Sequence, residues 1–268
     1  MNIAFCSLSS GSSGNCYYLG NEKQGIIIDA GISARRICSY LKETGLSIEK
    51  IIGILITHNH SDHVSGLRSL TKKYHIPVFT TDTVWKNILS QSTLKKISGD
   101  CIRKISVLEK FQLAGFDIEA FPVSHDTPET LGFHICEGSK RITIVTDLGY
   151  ICKTAAMFIN AANFLVIESN YDEQMLLQGK YPPFLKNRIR GNNGHLDNRH
   201  TSDFLAANIH DELSHICLAH LSKENNTPEK AVETFRNSFK AKGKSMDTMP
   251  SLVVLKRNVP SEIIHLEG

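Results

Sequence analysis

Residues 57–63 read Thr57-His58-Asn59-His60-Ser61-Asp62-His63 and follow directly on the apolar run Ile51–Ile56. A short apolar run bounded by polar residues predicts a buried strand. The polar stretch is then the loop at the strand's end, carrying His58, His60, Asp62 and His63 to one sheet edge. Imidazole nitrogens and a carboxylate are the donors expected of zinc, or of manganese or iron. Four such groups within six residues cannot all reach one ion with good geometry. The alternating His58 and His60 can chelate one ion, while Asp62 and His63 point toward a second. A solvated loop accounts for many a lone histidine, but not for an HxHxDH pattern.

Working outward, further ligands are expected where other apolar runs stop. His125 follows Pro122-Val123-Ser124, Asp147 follows Ile144-Val145-Thr146, and His220 follows Cys217-Leu218-Ala219. Three such candidates beside the first loop suit two ions about 3.5–4 Å apart. Ile3–Leu8, Cys16–Leu19, Ile26–Ile28, Pro77–Thr80, Ile118–Val123, Phe133–Cys136, Arg141–Val145, Phe164–Ile167 and Ile216–Ala219 also read as strands. Helical spacing fits 33–44, 67–74, 83–89, 201–210 and 228–237. This alternation predicts an α/β fold of two mixed sheets with helices packed outside.

The 268 residues, 41% hydrophobic and 21% charged, suit a globular protein. No linker, repeat or low-complexity tract marks a boundary, so one domain over residues 1–268 is expected. The net charge of +3 is too small to argue for nucleic acid by itself. Seven scattered cysteines without a CxxC pair suit reduced thiols. The N-terminus lacks a basic region ahead of an apolar one, and no apolar run approaches a bilayer-spanning length. A cytoplasmic protein with no membrane partner is the expectation.

Thr57–His63, with the later His, Asp and His in that order, resembles the signature of metallo-β-lactamase-fold hydrolases, and the likeness extends over nearly the whole chain. Ser9-Ser10-Gly11-Ser12-Ser13-Gly14-Asn15-Cys16, Gly194-His195-Leu196 and Ala219-His220-Leu221-Ser222-Lys223-Glu224-Asn225-Asn226-Thr227-Pro228 are similar to its YycJ/WalJ group of bacterial nucleases. The resemblance implies a four-layer αββα sandwich and DNA exonuclease activity from the 5′ end. It implies one ion on His58, His60 and His125, a second on Asp62, His63 and His220, and Asp147 bridging both. Where the group commonly has Ser-Asn after Gly-His-Leu, this chain has Asp197-Asn198, which adds a negative charge beside the expected phosphate site.

Two bridged divalent ions, zinc or manganese with iron as an option, would provide hydroxide near neutral pH and neutralise phosphoryl oxygens. Asp62 is expected to orient the hydroxide, and His195 to contact the scissile phosphate or protonate the leaving oxygen. Lys180, Lys186, Arg188 and Arg190, interleaved with Tyr181 and Phe184, are candidates for substrate binding. A solvated charged loop around Pro182-Pro183 is the other reading of that stretch. The Ser/Gly run at 9–14 is either a phosphate cradle made of backbone N–H groups or a plain turn. The expected substrate is nucleic acid, DNA ahead of RNA. A glyoxalase II-like thioesterase and a non-catalytic, metal-stabilised nucleic-acid-binding module are the competing readings.

Overall fold

Strands whose two faces are both covered read as continuous apolar runs, and the centre of this protein is built from them. The computed structural model describes residues 2–266. Its first sheet contains β1 (Ile3–Ser9), β2 (Cys16–Gly20), β3 (Gly25–Ile28), β4 (Ile51–Leu55), β5 (Val78–Thr80), β6 (Ile102–Lys104) and, from the far end of the chain, β14 (Ile264–Leu266). The second contains β7 (Lys110–Leu113), β8 (Phe116–Val123), β9 (Thr130–Glu137), β10 (Lys140–Val145), β11 (Phe164–Glu168), β12 (His215–Ala219) and β13 (Ser251–Val254).

The spatial orders are β14-β1-β2-β3-β4-β5-β6 and β13-β12-β11-β10-β9-β8-β7. Each sheet is antiparallel on one side and parallel on the other, changing at β3 in the first and at β10 in the second. Two antiparallel pairings separate β8 from β10, so both run the same way and end on the same edge as β11 and β12.

The period of two decides which core each residue joins. Phe164 and Val166, like Cys217 and Ala219, pack toward the first sheet. Their neighbours Leu165, Ile167, Ile216 and Leu218 pack outward against Phe158, Leu205, Phe235 and Phe239. Those four come from α5 (Lys153–Asn160), α8 (Asn198–Asn208) and α9 (Pro228–Ala241). Between the sheets, Phe5 meets Phe164 with ring centres 4.9 Å apart. On the other outer face, α1 (Ala34–Glu43), α3 (Leu67–Tyr74) and α4 (Asp82–Ser90) contribute Ile37, Leu67, Leu70 and Trp85 to the core shared by both sheets. The result is the four-layer αββα sandwich. No helix among the described residues is long and apolar enough to cross a membrane.

Two readings of the sequence change, and one helix lies where none was expected. The signature is not one loop: His58 and His60 lie on the loop, but Asp62 and His63 belong to a single helical turn, α2 (Ser61–Val64). The stretch after Pro182 is not a loop either but a helix, α7 (Pro183–Arg190), begun by a proline at its first position. The helix α6 (Glu173–Gln178), capped by Asp172, is too short to give a periodic signal.

Candidate metal centre

The site forms where the ends of β3, β4, β8, β10, β11 and β12 face one another across the sandwich. Asp29, Asp147 and His220 stand just past β3, β10 and β12 with φ of 58°, 58° and 56°. A left-handed backbone costs about 1–3 kcal/mol at a non-glycine residue and persists where the surrounding structure over-determines it. Here it turns the strand ends so that Asp147 and His220 join the candidate ligands and Asp29 meets the ring of His63 from behind. Gly31 has the opposite role, since a Cβ there would meet the Asp62 carbonyl oxygen at 1.7 Å and the Asn15 nitrogen at 2.5 Å. Only glycine lets α2 lie that close to the β3 end.

All seven residues proposed as ligands are brought together, and His195 joins them. One group of donor atoms within 4.8 Å of one another comes from His58, His60 and His125, and another from Asp62, His63 and His220. His58, His63 and Asp147 form a third, and Asp147, Glu168, His195 and His220 a fourth. Asp147 is central: its Oδ2 lies 3.2 Å from His63 Nε2, and its Oδ1 lies 3.3 Å from His220 Nδ1 and 3.7 Å from His125 Nε2. Asp62 Oδ2 lies 3.6 Å from His63 Nε2 and 3.7 Å from His220 Nε2.

Four of the rings are held through Nδ1. That of His58 meets Thr57 Oγ1 at 2.9 Å, that of His63 meets Asp29 Oδ2 at 2.7 Å, and that of His125 meets the Gly194 carbonyl at 2.9 Å. His220 Nδ1 meets Glu168 Oε1 at 2.8 Å. Fixing one ring nitrogen sets the tautomer and orientation of the other, as outer partners of metal-bound histidines do. Asp29 is itself oriented by the backbone N–H of Thr57 at 2.9 Å. Glu168 accepts from Leu196 N at 3.0 Å and from Leu148 N at 3.2 Å, and its Oε1 also holds His195 Nδ1 at 2.8 Å.

Electrostatics divides the histidines. Burial, then the neighbouring His63, holds His58 well below the usual imidazole range, and burial also lowers His125 and His60, so these three are neutral donors. Burial opposes charge on His220 too, but Asp147, Asp62 and Glu168 outweigh it and push the ring up to about 10. His63 is raised the same way by Asp29, Asp147 and Asp62 against its burial. Burial would raise Glu168, yet His195 and His220 bring it down to about 2. The ionised carboxylates of the pocket thus draw positive charge onto His63 and His220, a charge that a divalent cation can supply in place of the ring protons.

The residues fit a metal. His58 Nε2, His220 Nε2 and Asp147 Oδ2 are buried without a hydrogen bond. Each such orphan costs about 1–3 kcal/mol, and all three sit in the donor groups. A divalent cation satisfies donors of this kind and balances the acidic charge.

Asp29, Glu168, Asn15 and Asp126 were not among the residues singled out from the sequence. Asp29 and Glu168 each close an apolar run, the same signal that pointed to Asp147. Asn15, whose Nδ2 lies 3.0 Å from His63 Nε2, belongs to the Ser/Gly run. That run is a turn: Ser10 N, Gly11 N, Gly14 N and Asn15 N are all engaged within the protein, and Ser10 Oγ accepts from His220 N. Asp197 does not add free charge at a phosphate site; it caps α8 through His200 N at 2.8 Å and holds the His200 ring at 2.6 Å.

The basic residues lie to one side of the donor groups. Arg188 Nε donates to Asp126 Oδ2 at 2.6 Å, and Asp126 Oδ1 lies 3.2 Å from His125 Nε2 and 3.5 Å from His60 Nε2. Arg190 pairs with Glu173 at 2.8 Å, Lys186 Nζ donates to the Leu177 carbonyl at 2.7 Å, and Lys180 is exposed.

A two-sheet sandwich with histidines and carboxylates massed at its strand ends defines a protein of the metallo-β-lactamase fold. The family described as "Beta-lactamase superfamily domain" matches residues 24–215. The chain is 35% identical to exodeoxyribonuclease YycJ of Bacillus anthracis, over 91% of each chain. It is 34% identical to exodeoxyribonuclease WalJ of Streptococcus pneumoniae serotype 2, over 89% of each. The crystal structure of the metallo-β-lactamase-fold protein YhfI from Bacillus subtilis superposes with a TM-score of 0.72 at 12% identity, over 99% of both chains, a likeness of fold alone. The chain belongs to the metallo-β-lactamase superfamily, and within it to the group of YycJ and WalJ.

Proposed function

We propose that this hydrolase is a dinuclear, metal-dependent nuclease that removes nucleotides from the 5′ end of DNA, acting as one domain across residues 1–268. The observation that carries the reading is the convergence of seven histidine and aspartate side chains, three with orphaned buried atoms, in a chain whose relatives are named exodeoxyribonucleases. His58, His60 and His125 would hold one ion, Asp62, His63 and His220 the second, and Asp147 both. When bound, the ions supply Lewis acidity, acidifying a water for attack and neutralising charge on the phosphoryl oxygens.

The remaining steps fall to the chain's own side chains. Asp62, with its side chain 22% exposed against 2% for Asp147, adjoins the cluster while remaining open to solvent and would orient the attacking water through its carboxylate. His195 is held by Glu168 with its side chain 18% exposed, so the ring is both fixed and reachable. It would give a proton to the leaving oxygen, a general-acid role that contributes about 10²–10⁴-fold. Lys180, Lys186, Arg188 and Arg190 would neutralise backbone phosphates on the approach.

The test is digestion of 5′- and 3′-labelled DNA and RNA by metal-stripped protein resupplied with Zn²⁺, Mn²⁺ or Fe²⁺. Release of labelled mononucleotide from the 5′ end of DNA is expected, with His58→Ala and Asp147→Ala folded but inactive. Full activity in either variant removes the ligand assignment. Thioester turnover without DNA cleavage would instead make the protein a small-molecule hydrolase, and DNA binding without turnover a non-catalytic module.

A further inference from the structure

His195 also lines a cleft of about 270 Å³ whose walls contain none of the seven candidate ligands. Its walls include Tyr150, Tyr171 and Phe204, with Arg190 and His200. The same strand-end loops build both it and the centre: three residues past Asp147 comes Tyr150, and three past Glu168 comes Tyr171. Asp197, His200 and Phe204 follow at helical spacing along one face of α8. Tyr150 is 47% exposed, although a large aromatic side chain gains from cover.

We propose that this cleft holds one nucleobase at the reacting end of the substrate, stacked on Tyr150 and Phe204; the proposal rests on the nuclease reading. At about 270 Å³ the volume lies just below the range of about 300–1,000 Å³ that takes drug-sized ligands, a size that suits a single base. Every base has a π-face, so aromatic walls accept all four, as an enzyme shortening DNA of arbitrary sequence requires. The paired Asp197 and His200 side chains, 2.6 Å apart, offer polar atoms to the base edge. Arg190, already oriented by Glu173, offers its remaining N–H groups to the adjoining phosphate. His195, as the shared wall, sets the base beside the phosphodiester that is cut.

The test uses metal-loaded protein and a cleavage-resistant phosphorothioate oligonucleotide carrying 2-aminopurine or an abasic residue at one end. The parent is expected to quench the 2-aminopurine and to bind the base-bearing end roughly tenfold more tightly than the abasic one, the size of one stacking contact. Tyr150→Ala and Phe204→Ala should each bring that ratio to within about twofold, and Tyr150→Phe should keep it. A ratio of one in a parent that still digests ordinary DNA overturns the base site and leaves the nuclease reading standing. A parent that neither binds nor cuts DNA overturns both. Loss of the ratio in Phe184→Ala, on α7, but not in Tyr150→Ala would place the base elsewhere and overturn the assignment.

Discussion

Glu168 shows how much a single carboxylate can organise. Its two oxygens take two backbone N–H groups and two imidazoles, and it is fully buried. Asp29 does the same for His63 and Thr57. Neither needs to touch an ion, yet each sets the direction in which a neighbouring ring presents Nε2. Glu168→Gln and Asp29→Asn are therefore expected to weaken metal affinity by about 10–100-fold with little change in overall fold. Competition with a chelator, followed by circular dichroism, measures both quantities. Unaltered affinity in both variants would reduce these carboxylates to packing.

At the scale of elements, α7 brings the basic stretch to the rim of the site. Two of its cations have acidic partners, Arg188 with Asp126 and Arg190 with Glu173, which restrains the side chains without removing their other donors. Each phosphate neutralised adds about 0.7–0.9 to the slope of log affinity against log salt. Removing Arg188 and Arg190 together should lower that slope by roughly 1.4–1.8 and weaken DNA binding most at low salt. An unchanged slope, read by anisotropy between low and moderate salt, would leave α7 without a role in phosphate binding. Arg188→Ala carries a second effect, because Asp126 then loses the partner that holds it near His125 and His60.

For the molecule as a whole, pH reaches stability through groups far from the metal centre as well. His134 lies within β9, where burial, then Arg141 and Lys110, lowers it from 6.5 to about 4. The folded state thus refuses a proton that the unfolded chain accepts. Stability from this group is complete above pH 6.5 and is lost as pH falls toward 4. Replacing it, His134→Gln, should flatten the loss of stability across that interval. Denaturant titrations of variant and parent at several pH values check this, and parallel curves would dismiss it. Glu168, depressed to about 2, gives up its contribution only at more acidic pH, so the two effects separate.

The class of fold and the residue types of the centre were legible in the sequence because strand ends are local events. An apolar run that stops at a histidine or aspartate marks both the strand and the candidate ligand, as at His125, Asp147 and His220. The α/β alternation followed from apolar runs and helical spacing within windows of a few residues. The grouping of ligands from separate strand ends came only through the family resemblance, and the remaining relations between distant segments were hidden. Nothing in 25–31 announces that Asp29 will hold the ring of His63, that Gly31 must admit the carbonyl of Asp62, or that Glu168 will join His195 to His220. Tertiary structure alone decided those pairings, and it alone placed Tyr150, Tyr171 and Phe204 around one cleft. The reason is physical: period and composition report burial along one strand or helix. Which strand ends meet depends on sheet order and on two sheets packing face to face, a cooperative outcome that no short window contains.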